Sequence, residues 1–435
     1  MGEETDGAAD YAAQLCARLI RFDTSNFGGG DAHGERAAAE HVAGLLTDAG
    51  LEPALLERTP GRANVIARVP GRDPLLPAVL VQAHLDVVPA DPADWTVPPF
   101  AGEIRDGYVW GRGATDMKDM CATILTVLRE WARTGRRPAR DVVVAFVADE
   151  EDTGEDGARW LVREHAERFA DCAAAISESG GFTHHAGDVR LYPIATAERG
   201  TAHLRVTAHG RAGHASRRND DNPVTRLLAG LHRVATHRWP ISLTPAVEAF
   251  LTQTAAALGK PVDLSDVDAA LAELGAAAAL AENTVRASVT PTMLRAGYKV
   301  NVIPATAQAQ LDVRTLPGIE ADVLGRIDEL LGPGIGREFV AHETPVHAPI
   351  DSPWFTAMAD ALRAEDSGAV VVPYCMGGGT DAKSFSTLGI DCYGFAPLWL
   401  PAGFPYRALA HGVDERVPVA GLGFGVRVLD RFLSV

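Results

Sequence analysis

The stretch "PAVLVQAHLDVVP", Pro77 to Pro89, opens as a buried strand and ends in an imidazole and a carboxylate two residues apart. A short run apolar on both faces suits a parallel sheet covered on both sides. Its ending is unusual, because turn chemistry ordinarily closes a strand and an ionisable pair there needs a reason. Two further runs repeat the pattern. "ARDVVVAFVADEE" ends in Asp149, Glu150 and Glu151, and "AAAISESGG" ends at Glu178. Between the first two, "DMKDMCATILTVLREWART" predicts a helix with Asp116 at its start, after the glycine-rich "WGRGAT". Buried strands alternating with helices predict a mostly parallel sheet flanked by helices. In such sheets ligands sit beyond the carboxyl ends of the strands. Three neighbouring strands would therefore deliver His84, Asp86 and several carboxylates to one cleft.

Working outward, a helix is expected over about residues 35–49, closed by Gly50. Near Ala195 the texture changes. "GTAHLRVTAHG" and "AQAQLDVRTL" alternate as antiparallel strands do, and the Ala-rich "DAALAELGAAAALAEN" between them reads as one helix. From about Pro353 the helix–strand alternation returns with "PWFTAMADALRAE", "AVVVPYC", "IDCYGFAPL" and a final helix. The expectation is an α/β domain, residues 1–195 and 346–435, interrupted by an inserted α+β domain over 196–345.

At 435 residues the chain exceeds one ordinary core, which agrees with two domains. A net charge of −17 argues against nucleic acid or an anionic membrane as partner. No apolar run reaches the roughly 18 residues of a membrane span. The acidic N-terminus has no apolar core of a signal peptide. Five scattered cysteines, with no C-x-x-C pair, suggest reduced thiols and a cytoplasmic protein.

Taken singly, each site residue has an ordinary reading. His84 is a hydrogen-bonded structural histidine, Asp116 a helix cap, and Glu150-Glu151 a solvated loop. Taken together they conflict. Two carboxylates about 4 Å apart repel by about 4 kcal/mol at an effective dielectric near 20. Four in one cleft must either hold protons or have cations among them. Histidine with carboxylates and no cysteine suits zinc or a similar divalent ion.

The motifs "HLDVVP", "WGRGATDMKD", "VADEE", "ISESGG" and "HGVDERV", in this order, resemble the dinuclear zinc aminoacylase/carboxypeptidase family. That family includes aminoacylase, succinyl-diaminopimelate desuccinylase, acetylornithine deacetylase, glutamate carboxypeptidase and Gly-X carboxypeptidase. The resemblance implies His84, Asp116 and Glu178 as ligands of one zinc. It implies Asp116, Glu151 and His411 as ligands of the other, with cobalt or manganese as alternative metals. It makes Asp86 the carboxylate that orients His84, and Glu150 the general base acting on a zinc-bridged water. "GRAGHASRRNDDNPV" is similar to the family's lid and dimerisation segment, which gives His214 a role across a homodimer. "KVNVIPATAQAQLDVR" and "GGGTDAKSF" are similar to its substrate-binding segments, implying Asn301, Arg314, Gly379 and Thr380. Ser177 stands where many relatives carry Asn, and His184-His185 match nothing in the family. The implied reaction is hydrolysis of an N-acyl amino acid or small peptide, with a dipeptidase or Gly-X-type carboxypeptidase as the alternative. A non-catalytic binder of amino-acid conjugates is the rival from another class.

Overall fold

The computed structural model describes residues 2–435, with side chains from residue 7 onward. The apolar runs do become neighbouring parallel strands. Ala78–His84 lies between Cys172–Ser177 and Val142–Val147, and Asp391–Gly394 continues the parallel set beyond Cys172–Ser177. All seven residues of Ala78–His84 are buried, as a strand covered on both faces must be. Toward the edges of this ten-stranded sheet antiparallel pairings take over, except that Ala369–Met376 pairs in parallel with Val189–Glu198. Ala63–Val69 and Ala54–Glu57 extend one side, and Val189–Glu198 turns the other.

Helices Gly2–Ile20, Lys118–Thr134, Pro353–Glu365 and Val419–Leu433 pack together on one face. Ala158–Glu164 and Ala382–Phe385 help to cover the other. The helix expected to open at Asp116 begins two residues later, at Lys118, with Met117 in the cap position and no side-chain cap. Asp116 is therefore no helix cap. The expected helix near residue 35 spans Arg36–Asp48, and Gly50 follows it at φ +80°.

The inserted unit is a four-stranded antiparallel sheet in the order Ser288–Ala296, Thr306–Thr315, Gly200–His209, Ile335–Glu343. Alternate residues of Thr306–Thr315 are buried, as the sequence pattern required. Helices Pro223–Thr236 and Glu320–Leu331 cover its inner face through Leu227, Leu231, Val323 and Ile327.

The stretch between these strands behaves differently from the expectation of one continuous insert. Helices Pro245–Ala257 and Val267–Leu274 bury Phe250, Leu251 and Leu271 in the main core, against the strand Ala369–Met376. Their apolar faces are too large to leave in water, and the open face of that strand is where they are buried. The Ala-rich tract is not one helix either. Gly275, at φ +58°, ends it, and a 3₁₀ turn runs on over Gly275–Leu280.

All five cysteines are buried and unpaired. Among the described residues no helix is long and apolar enough to cross a membrane.

Candidate active site

The His-x-Asp ending has a structural answer. His84, the last residue of its strand, is fully buried, and its Nδ1 lies 2.9 Å from the main-chain oxygen of Asp86. A carbonyl oxygen can only accept, so Nδ1 carries the proton and Nε2 is left facing the cleft. The Asp86 carboxylate, expected to orient the ring, is 3.5 Å from Nδ1 and mainly serves the next strand end. Its Oδ1 accepts from the N–H of Glu150 at 3.2 Å, and its Oδ2 from that of Glu151 at 3.1 Å. Asn26 Nδ2 adds a further bond at 3.0 Å. Burial alone would raise the Asp86 carboxyl, but His84, Asn26 and the Glu151 N–H outweigh it and hold it below the usual value.

Glu150 and Glu151 are thus presented from a turn held on Asp86, not from an extended segment. Asp149, grouped with them in the sequence, faces away. It sits at φ +65° and accepts from Arg62 at 3.0 Å and Asn26 at 3.1 Å. Arg62 in turn bonds the fully buried Glu35 at 2.9 Å.

Asp116 joins the two halves of the cluster. Its Oδ1 is 3.1 Å from His84 Nε2 and its Oδ2 is 3.2 Å from His411 Nε2. Glu178 Oε1 lies 3.9 Å from His84 Nε2, and Glu151 Oε2 lies 3.0 Å from His411 Nε2. In each of two triads, His84–Asp116–Glu178 and Asp116–Glu151–His411, one ligand atom per residue falls within 4.8 Å of the others. Glu150 Oε2 stands beside them, 4.0 Å from His84 Nε2.

Without a cation this cluster must hold protons. Burial pushes Glu150, Glu178 and Glu151 up. Asp116 and Glu151 raise His411 to about 10. Burial opposes protonation of His84, yet Asp116, Asp86 and Glu150 raise it. Two divalent cations would do the work of those protons. The donor set fits them: one imidazole and two carboxylates per position, no thiolate, and a buried Glu151 Oε1 with no hydrogen-bond partner.

The chain matches the profile of peptidase family M20/M25/M40 over residues 80–435. It belongs to that family. It is a hydrolase of the metallopeptidase/aminoacylase type. It is 29% identical to aminoacylase-1 of Sus scrofa over 387 residues, covering 87% of this chain and 84% of the relative. It is 28% identical to the N-fatty-acyl-amino acid synthase/hydrolase PM20D1 of Xenopus tropicalis over 376 residues, covering 82% and 72%. The di-peptidase Dug1p of Saccharomyces cerevisiae shares its fold at a TM-score of 0.68 and 18% identity, covering 99% of this chain and 97% of that one.

In this M20 chain the two loops that carry Asp116 and His411 are clamped together by Glu415, which the sequence reading passed over. Glu415 is fully buried and accepts from Arg112 Nη1 (2.7 Å), Gly113 N (3.0 Å), Thr115 N (2.6 Å) and Thr115 Oγ1 (2.9 Å). Arg112 Nη2 also donates to the His411 carbonyl at 3.3 Å. Ser177 bonds Gln82, which donates to Asp381 at 2.7 Å.

Two cavities meet at this His–carboxylate cluster. One, of about 480 Å³, is lined by Asp116, Glu178, Phe182, Arg199, Arg314 and Tyr406. The other, of about 430 Å³, is lined by Glu150, Glu151, Arg159, Lys383, Gly379 and Thr380, and again by Asp116, Glu178 and Arg314. Of the expected substrate residues, Arg314, Gly379 and Thr380 are therefore present. Arg314 is held by Asp312 at 2.7 Å and Thr201 at 2.9 Å. Thr380 is fixed on the buried Glu198 through its N–H at 3.0 Å and its hydroxyl at 2.7 Å.

His214 and Asn301 do not line these cavities. They sit together on the exposed end of the insert, where His214 pairs with Val302 and its Nδ1 meets Ser216 Oγ at 2.8 Å. Arg199 was missed. It is 6% exposed, and among the described residues no carboxylate pairs with it. Nη2 donates to Ser288 Oγ at 2.6 Å and to the Arg314 carbonyl at 3.2 Å, Nε has no partner, and burial lowers its pKa to about 10. No local motif marked it, because its meaning lies in the partner it lacks.

Proposed function

We propose that this M20 hydrolase cleaves the amide bond of N-acyl amino acids, with dipeptide or Gly-X-type carboxypeptidase substrates as the second reading. The observation that carries the proposal is Asp116, which bridges two His–carboxylate triads with Glu150 alongside. The names of the aminoacylase and N-fatty-acyl-amino acid relatives support N-acyl substrates, and the di-peptidase fold neighbour supports the second reading.

Zinc held by His84, Asp116 and Glu178, and by Asp116, Glu151 and His411, or cobalt or manganese there, would lower the pKa of water toward about 7 and polarise the scissile carbonyl. Glu150 takes the proton of the attacking water and returns it to the leaving nitrogen. Asp86 keeps Glu150 and Glu151 in place through their N–H groups. Arg199, unpaired and buried in the first cavity, holds the substrate carboxylate, with Arg314 beside it. Thr380 and Gly379 shape the opposite wall.

His214 and Asn301 act in a homodimer, each chain lending them to the other's site, where the partner subunit's His214 holds the developing oxyanion. Their joint exposure at the tip of the insert supports this. The unpaired thiols support a cytoplasmic setting.

The test is a panel of N-acetyl, N-succinyl, long-chain N-acyl and Gly-X substrates, given to zinc-, cobalt- and manganese-loaded protein. Absence of turnover across the panel refutes the proposal. Mixed Glu150→Ala and His214→Ala homodimers should regain activity after verified subunit exchange. No regain refutes the shared site.

A further inference from the structure

A third cavity, of about 340 Å³, lies behind the first and shares with it a wall made by Phe182, Tyr406 and Arg407. The Phe182 and Tyr406 rings meet at 4.9 Å between centroids, and Phe182 is 5% exposed. Beyond them the cavity is apolar, with Leu400, Phe404 and Pro405 along its side. His184 and His185, which the family pattern leaves unexplained, help to frame it. Each ring is tied to a carbonyl, His184 to Ala276 at 3.2 Å and His185 to Leu400 at 2.9 Å. Arg407 donates to the Ala279 carbonyl, so the loop that leads to His411 is pinned across the same wall.

The geometry points to Phe182 and Tyr406 as the residues that set the size of the amino-acid side chain this enzyme accepts. The inference rests on the hydrolysis of N-acyl amino acids proposed above. Arg199 is in the first cavity, so the substrate carboxylate is there too. The side chain leaves the same carbon as that carboxylate and must enter the remaining volume, whose apolar surface includes Phe182, Leu280 and Tyr406 together with Met117, Tyr374 and Met376. The acyl group, across the scissile bond, lies toward the polar cavity of Arg159 and Lys383. The aromatic pair therefore ends the side-chain pocket, and the third cavity is space that a larger apolar side chain would occupy if the pair were opened.

The experiment compares kcat/KM of the metal-loaded wild type, Phe182→Ala and Phe182→Ala/Ala408→Phe along two series. One varies the side chain, from N-acetylalanine through N-acetyltryptophan to N-acetyl-naphthylalanine. The other varies the acyl chain, from acetyl to dodecanoyl, on one amino acid. Ala408 is exposed and lines the third cavity, so Phe at that position refills it. The expected result is a tenfold or greater rise in the naphthylalanine-to-alanine ratio in Phe182→Ala. Refilling should reverse it, and the acyl series should not change. An unchanged ratio, or a gain confined to the acyl series, overturns the inference and leaves the hydrolysis intact. No wild-type turnover of any member of either series overturns the hydrolysis of N-acyl amino acids and the inference with it. Should thermal melts show that Phe182→Ala fails to fold, Phe182→Leu is judged by the same ratio.

Discussion

Replacing Glu415 with Gln keeps the shape of the side chain and removes its charge. Four donors converge on the carboxylate, two on each oxygen. A carboxamide has one acceptor oxygen and one NH₂, so at least two of those four donors lose their acceptor. Arg112, 4% exposed, is also left without its counter-charge. Removing one member of a buried ion pair costs about 3–5 kcal/mol. That cost falls on the contact between the loops bearing Asp116 and His411. His411 is itself held at φ +59° and is tied through its carbonyl to Arg112. The expected outcome is a folded protein with a lower melting temperature. Its metal affinity should be weaker by about 10–100-fold at the position that uses His411, the usual scale for disturbing groups that hold a ligand in place. Zinc titration against a chromophoric chelator, with circular dichroism melts alongside, measures both. Wild-type affinity at both positions in a variant that melts as the wild type does would refute the clamp.

Glu150→Gln should lower kcat by about 10²–10⁴-fold while both metals stay bound, read by steady-state rates and metal analysis. Arg199→Ala should raise KM for N-acyl amino acids more than Arg314→Ala does, because Arg314 is already engaged by Asp312; equal effects count against Arg199 as the anchor. Burial raises Asp119 to about 8, well above its ordinary value. Its neutral form therefore stabilises the fold fully below about pH 4, and this contribution is lost as pH rises toward about 8, at about 1.4 kcal/mol per unit. Asp119→Asn should cancel that slope in metal-free protein. Denaturant melts between pH 4 and 9 should show the variant gaining on the wild type until about pH 8 and then holding level.

The catalytic half of the fold was legible because three apolar runs each ended in ionisable residues, and a parallel sheet leaves little choice about where such ends meet. The two His–carboxylate triads followed from this in part. His84, Asp116, Glu151 and Glu178 stand where the strand and loop pattern put them. His411 did not follow, since nothing local separates it from the other histidines and only the motif order singled it out. Asp86 was read for only one of its contacts, the one its carboxylate makes with the His84 ring at 3.5 Å. Its main chain holds His84, while its carboxylate holds two N–H groups more than 60 residues away, a contact that no spacing rule reports. Arg199 and Glu415 were invisible for a related reason. One matters for an ion pair it lacks and the other for four donors gathered from a distant loop. The excursion of residues 245–285 was hidden because an amphipathic helix looks the same whichever core it joins.

That excursion has a consequence for any attempt to simplify the molecule. The chain passes between the insert's core and the larger one at 197–202, 239–246, 285–287 and 335–346, and Leu316 dips into the larger core as well. A lidless version made by deleting 196–345 would pull Phe250 and Leu251 out of the larger core and strip a neighbour from Ala369–Met376. A soluble minimal enzyme instead requires two short splices that keep the intervening helices, and any rocking of the four-stranded sheet must bend all of these tethers together.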